Sequence, residues 1–135
     1  MSPDVFDREA LVKHRLEQSR KTLKDARLLY NQDGTPASVV NRAYYAMFYA
    51  VLALLVKTDR SSSKHSGVIA LFDKEFVKQN EFPPEMSKML HRAFEMRQEG
   101  DYQDISSIDK KKAFEVLESA VKFIKAIEEK IKNNA

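Results

Sequence analysis

The sequence predicts an all-α fold, an antiparallel up-and-down four-helix bundle with one short additional helix, and three observations carry that prediction. Glycine and proline are scarce, 3 and 4 residues in 135, which disfavours the frequent turns of an all-β chain. Apolar residues recur at helical steps in five stretches separated by short polar breaks. One of those stretches, Asn41 to Val56 (NRAYYAMFYAVLALLV), is apolar on nearly every side when helical, so it must be covered all round and marks the central element. At this length the chain fits a single domain, residues 1–135, burying about two-thirds of its unfolded surface.

The first helix opens at Ser2-Pro3, a cap followed by a first-turn proline, and its stripe of Val12, Leu16, Leu23, Ala26 and Tyr30 carries it to about Tyr30. Its outer face pairs Glu9 with Lys13 and Glu17 with Lys21 at helical spacing, and Lys13, His14 and Arg15 form a solvated basic cluster. The turn Asn31 to Gly34 leads to Thr35-Pro36, the same cap-plus-proline signature, which starts the central helix; it ends near Lys57. On a helical wheel Val40, Tyr44, Met47, Val51 and Leu55 make a large core face. Ala43, Ala46, Ala50 and Ala53 make a narrow seam for close approach of a neighbouring helix. Arg42, Tyr45, Tyr49, Leu52 and Val56 form a third side that needs a partner, from this chain or from a second copy.

Val68, Leu71, Phe72 and Phe76 predict a shorter third helix over residues 63–78, with Lys64, His65, Ser66 and Gly67 at its amino end, where free backbone amides suit an anion. Glu81-Phe-Pro-Pro84 breaks the chain, and Met86, Met89, Leu90, Ala93 and Phe94 build the fourth helix, which Gly100 is expected to stop. Arg97 continues the inward stripe of Met86, Leu90 and Ala93. A charge there requires a carboxylate, helix-end carbonyls or a bound phosphate. Ser106 and Asp109 read as a capping box for the last helix, near Ile108 to Lys132, whose apolar stripe is Phe114, Leu117, Val121, Ile124 and Ile131.

Composition narrows the chemistry. The absence of cysteine removes disulfides, thiolate zinc sites and thiol nucleophiles. No glycine-rich phosphate loop, no histidine pair at ligand spacing and no carboxylate cluster is present, so neither a metal nor another cofactor is expected. The amino terminus lacks the basic flank and apolar run of a signal peptide, and the apolar stretch is shorter than a membrane span, so a soluble, cytoplasmic protein without membrane contact is expected. A net charge of +3 and a pI near 9.0 permit nucleic acid without demanding it. General acid-base work would fall to His14, His65, His91 or a tyrosine, and His65 has the more suggestive neighbours.

The helix NRAYYAMFYAVLALL, then KHSGVIALF with EFVK just after it, then RQEGDY before a long final helix, resembles the prokaryotic HEPN domain proteins over almost the whole chain. The likeness is strongest to the small single-domain branch that is itself similar to the helical domain of kanamycin nucleotidyltransferase. It implies an up-and-down bundle, a homodimer, and a minimal nucleotidyltransferase as partner, in some cases as a toxin-antitoxin pair whose HEPN member is a metal-independent endoribonuclease. Ribonuclease members carry an arginine and, after four to six further residues, a histidine. Here Arg97 matches the arginine but Tyr102 stands in the histidine's place. A tyrosine with a pKa of about 10 is a poor base at neutral pH.

The same spacing recurs from Arg60 to His65, ahead of the third helix. The resemblance therefore leaves Arg97, Tyr102 and His65 as candidate catalytic residues, and Arg42, Tyr45, Lys64 and Arg97 as candidate nucleotide or RNA contacts. Two functions follow: a dimeric nucleotide- or RNA-related partner of the nucleotidyltransferase, or a ribonuclease toxin with an altered catalytic set. A non-catalytic structural dimer is the third. Tyr102, and after it Tyr44, Tyr45 and Tyr49, offer hydroxyls that a partner enzyme could nucleotidylate.

Overall fold

Burying the central stretch sets the architecture. The computed structural model describes residues 5–102 and 108–133, and their side chains except at 5–6 and 99–102. It contains α1 (Val5–Asn31), α2 (Pro36–Lys57), α3 (His65–Phe72), a π-helical turn (Asp73–Val77), α4 (Pro84–Tyr102) and α5 (Lys110–Asn133). α2 packs against α1, α5, α4 and α3, and α5 also touches α1 and α4. Arg8 of α1 pairs with Asp59 beyond the end of α2, and Lys110 at the start of α5 reaches Asp33 in the α1–α2 turn. The long helices thus run up, down, up and down, and α2 and α5 share a direction. The all-α bundle with a short extra helix is the fold the sequence predicts.

The three sides assigned to α2 separate in space as their composition requires. Val40, Tyr44, Met47, Val51 and Leu55 are buried, and so are Ala43, Ala46, Ala50 and Ala53. Against the alanines α1 comes close enough for the buried Ser19 hydroxyl to donate to the Ala46 carbonyl at 2.7 Å. Methyl-sized side chains leave room for that approach. Ser19 and Thr22 are buried polar members of the α1 face that the apolar stripe alone did not reveal. Tyr45, Tyr49, Leu52 and Val56 remain half-buried. By length and composition α2 is apolar enough to cross a membrane, contrary to the sequence expectation, yet 67% of that window is buried inside the bundle. Internal packing accounts for its composition.

Several boundaries differ from expectation for identifiable reasons. α4 runs through Gly100 to Tyr102, because one glycine weakens a helix by only about 1 kcal/mol and does not end it. α5 begins at Lys110, with Asp109 as its cap: the carboxylate accepts the Lys112 amide at 2.8 Å, while Ser106 lies outside the described residues, as does Ser2-Pro3. The third helix is α-helical only to Phe72 and widens into the π turn. There Phe72 stacks on Phe76, Phe82 packs tilted against both, and Phe72 meets Phe123 of α5 at 5.4 Å. Asp33, Asp59 and Asn80 adopt left-handed conformations after α1, α2 and the π turn. In each case the next amide bonds back five residues, closing the helix end without glycine.

Gly67 has a different task, since a Cβ there would collide with Ser62 Oγ. It lets the loop lie directly on the first turn of α3. The alanine seam generates a prediction: Ala46→Leu forces α1 away and lowers stability by about 1–3 kcal/mol, whereas Ser19→Ala costs about 1 kcal/mol. Urea unfolding checks both, and an Ala46→Leu protein of unchanged midpoint contradicts the close approach.

Candidate functional site

α2, the amino end of α3 and the later half of α4 bring one aromatic and cationic cluster together. His65 is the first residue of α3, after Lys64, whose extended backbone begins the helix without a side-chain cap. Its ring stacks on Phe48 with centroids 4.1 Å apart, and Tyr45 meets it edge-on at 5.7 Å. Its Nδ1 lies 3.0 Å from the Tyr44 hydroxyl. Tyr44 and Phe48 stand one turn apart on α2, so a single helix face both stacks the imidazole and hydrogen-bonds it.

Arg97 enters from α4. Its guanidinium sits 5.3 Å from the Tyr45 ring centre and 5.7 Å from that of Tyr44, while Phe94, one turn earlier, packs on Tyr44 at 5.7 Å. Arg42 also reaches the Tyr45 ring, at 5.3 Å, and is held by Asn41 Oδ1 through its Nε and a terminal nitrogen at 3.1 and 2.9 Å. One tyrosine ring therefore carries two guanidinium groups, each favoured by the negative ring face.

Titration follows from this packing. Burial raises the Tyr44 hydroxyl far above its ordinary value, with Arg97 pulling the other way, so the phenol stays protonated. Burial first and the Arg97 charge second push His65 below its ordinary 6.5, so the ring is neutral at pH 7. A neutral imidazole can donate or accept one proton, beside a fixed cation suited to phosphate.

Of the candidate residues, the structure brings Arg42, Tyr45, His65 and Arg97 into one cluster, with exposed Lys64 next to His65. Tyr102 ends α4, and its side chain lies outside the described residues. Arg60 belongs elsewhere: it pairs with Glu75 at 3.4 Å and covers the Phe76 ring, so the arginine near His65 is Arg97. His91 is engaged by Asp73 at 2.6 Å. Tyr44 is fully buried and cannot offer its hydroxyl to a partner enzyme. Its bond to His65 was not foreseen; the one signal was its position four residues before Phe48 on the same face.

A separate groove of about 450 Å³ runs along α1, lined by Val12 and Leu16 with Arg8, Lys13, Arg20 and Lys57. Two of its cations are already paired, Arg8 with Asp59 and Arg20 with Glu128. The His65 cluster has the richer chemistry. Among the described residues no group of three or more His, Cys, Asp or Glu could hold a metal ion.

The lowered His65 pKa has a consequence for stability. Below about pH 6.5 the unfolded chain binds more protons at this position than the folded chain, so the contribution is complete above the unfolded pKa and is lost as pH falls from there through the folded pKa. The urea midpoint is expected to drop more steeply below about pH 6.5 in the native protein than in His65→Gln. Parallel profiles contradict the placement of the ring.

Known proteins similar to this chain identify its family. A UPF0332 protein of Thermotoga maritima is 38% identical over 127 residues, 94% of this chain and 96% of its own. Two proteins of Methanocaldococcus jannaschii are also similar. One, "Putative toxin MJ0142", is 39% identical over 98 residues, covering 73% of this chain and 66% of its own. The other, "Putative toxin MJ0605", is 29% identical over 87 residues, 64% of each. The HEPN domain model matches residues 12–130, nearly the whole bundle including every member of the His65 cluster, and the chain belongs to the HEPN domain family.

Proposed function

We propose that this chain is a toxin-type HEPN protein that binds the phosphate backbone of single-stranded RNA through Arg97, Arg42 and His65, and acts as a homodimer beside a minimal nucleotidyltransferase. The observation that carries the proposal is the pair of guanidinium groups held on Tyr45 next to a neutral imidazole. Single-stranded RNA is recognised by cations that follow its phosphates and by aromatic faces that take its unstacked bases. Guanidinium is the side chain suited to phosphate, since its fork meets two oxygens at once. The names of the two Methanocaldococcus jannaschii relatives support the toxin assignment. The half-buried Tyr49, Leu52 and Val56 on the outer side of α2 support a second copy as cover.

A second reading, a metal-independent endoribonuclease, is favoured by the lowered pKa of His65 beside Arg97. In that chemistry His65 takes the proton of a 2′-hydroxyl as its oxygen attacks phosphorus, Arg97 stabilises the added charge, and the departing 5′-oxygen is protonated by water.

Fluorescence anisotropy with a labelled single-stranded oligoribonucleotide tests the first reading. Arg97→Ala and Arg42→Ala are each expected to weaken binding and to flatten the salt dependence by about 0.7 in log K against log salt. Unaltered affinity in both contradicts it. Sedimentation of the same preparation should give twice the chain mass, and a monomer at high micromolar concentration removes the dimer. Should the native protein cleave the RNA, an undiminished rate in His65→Ala removes the second reading.

A further inference from the structure

The hydrogen bond between Tyr44 and His65 has two possible directions, and they give the imidazole opposite roles. A neutral imidazole carries one N–H. If that hydrogen is on Nδ1, it donates to the Tyr44 oxygen and leaves the lone pair on Nε2, as a base requires. The phenolic hydrogen then has no acceptor, because Tyr44 is fully buried and bonds only His65 among the described residues. If the phenol donates to Nδ1 instead, its hydrogen is satisfied and the ring proton sits on Nε2. A buried donor left unbonded is costly, whereas an oxygen with spare lone pairs is tolerated more readily.

We propose that Tyr44 fixes His65 in the Nε2–H form, so that the imidazole is a neutral hydrogen-bond donor to a phosphodiester oxygen beside the Arg97 guanidinium, and not a base. The proposal rests on the reading that this site takes RNA phosphate, and it deepens that reading by naming what each group does. The groups around His65 are consistent with the role. Tyr44, Tyr45 and Phe48 face it from α2, the Arg97 charge acts on it from α4, and Lys64 precedes it in the chain. None of them is an acid that would hold the ring protonated. Nε2 lies on the ring edge away from the Tyr44 hydroxyl, and no described residue bonds it.

A neutral N–H donor next to a fixed cation stabilises phosphate charge without proton transfer. Tyr44 is a positioning residue in this arrangement. Base catalysis by His65 requires the other tautomer and strands the buried phenolic hydrogen. The tautomer therefore separates the binding function from the ribonuclease.

Long-range ¹H–¹⁵N correlation on the full-length, ¹⁵N-labelled protein near neutral pH reads the tautomer directly. The expected result is a protonated Nε2 and an unprotonated, hydrogen-bonded Nδ1; a protonated Nδ1 overturns the proposal. In Tyr44→Phe the Nδ1 signal should move to the position of an unbonded ring nitrogen, and an unmoved signal removes Tyr44 as the cause. A third arm leaves Tyr44 in place, in case its replacement prevents folding. His65→Met should lose about tenfold or more of the affinity for a single-stranded oligoribonucleotide, and His65→Gln, which keeps an N–H donor, should restore most of it. Equal loss in both variants overturns the donor role. A native protein with the Nε2–H form but no affinity for the oligonucleotide upholds the tautomer and overturns the RNA reading beneath it.

Discussion

The constraint on which the rest of the structure depends is that α2 has no side fit for open water. Its large residues and its alanines must both be covered, and covering them fixes the places of α1, α4 and α5. Small side chains decide how near each neighbour comes. Along the alanine seam α1 is close enough for a serine to bond the α2 backbone. On the opposite flank α4 meets bulky rings, and the space between the helices is filled by Tyr44, Phe94 and the guanidinium of Arg97. The site therefore sits on the side of α2 where the packing is built from aromatic rings.

Adjacent residues on α2 divide the labour. Tyr44 points into the core and is fully buried, while Tyr45 is half-buried. The first can fix the orientation of a group at the surface; the second can carry cations. His65 joins them because the loop after α2 ends in a short helix whose first residue lies against Tyr44 and Phe48. Gly67 and Ser62 determine how closely that loop lies on the helix. Burial first, and the positive group beside the imidazole second, disfavour a charged ring, so Arg97 supplies the cation and adds to what keeps His65 neutral.

The periodicity of apolar residues revealed the helices and the faces of α2, because burial on a helix imposes a repeat that a single sequence displays. Helix ends were less legible. Asp33, Asp59 and Asn80 take the conformation expected of glycine, and Gly100 lies within a helix it was expected to stop. The reason is that a single residue shifts a helix end by an energy smaller than tertiary packing supplies. The candidate site was legible in its members and not in its geometry. Arg97 stood out as a charge on an inward stripe and His65 as a histidine at a helix start. Sequence spacing pointed to Arg60 as an alternative partner for His65, but contacts across the bundle decide for Arg97. Tyr44 looked like a core residue, which it is; its hydroxyl became informative only once α3 was placed against it.

The proposed function requires a phosphate-bearing strand to meet this cluster. An amide-resolved NMR titration of the native protein with a short single-stranded RNA reads that directly. Signals of Tyr45, His65 and Arg97 are predicted to move together and to saturate at one affinity, with Arg42 following them. Perturbations confined to the α1 groove at Lys13 and Lys57, with the His65 cluster unmoved, would contradict it.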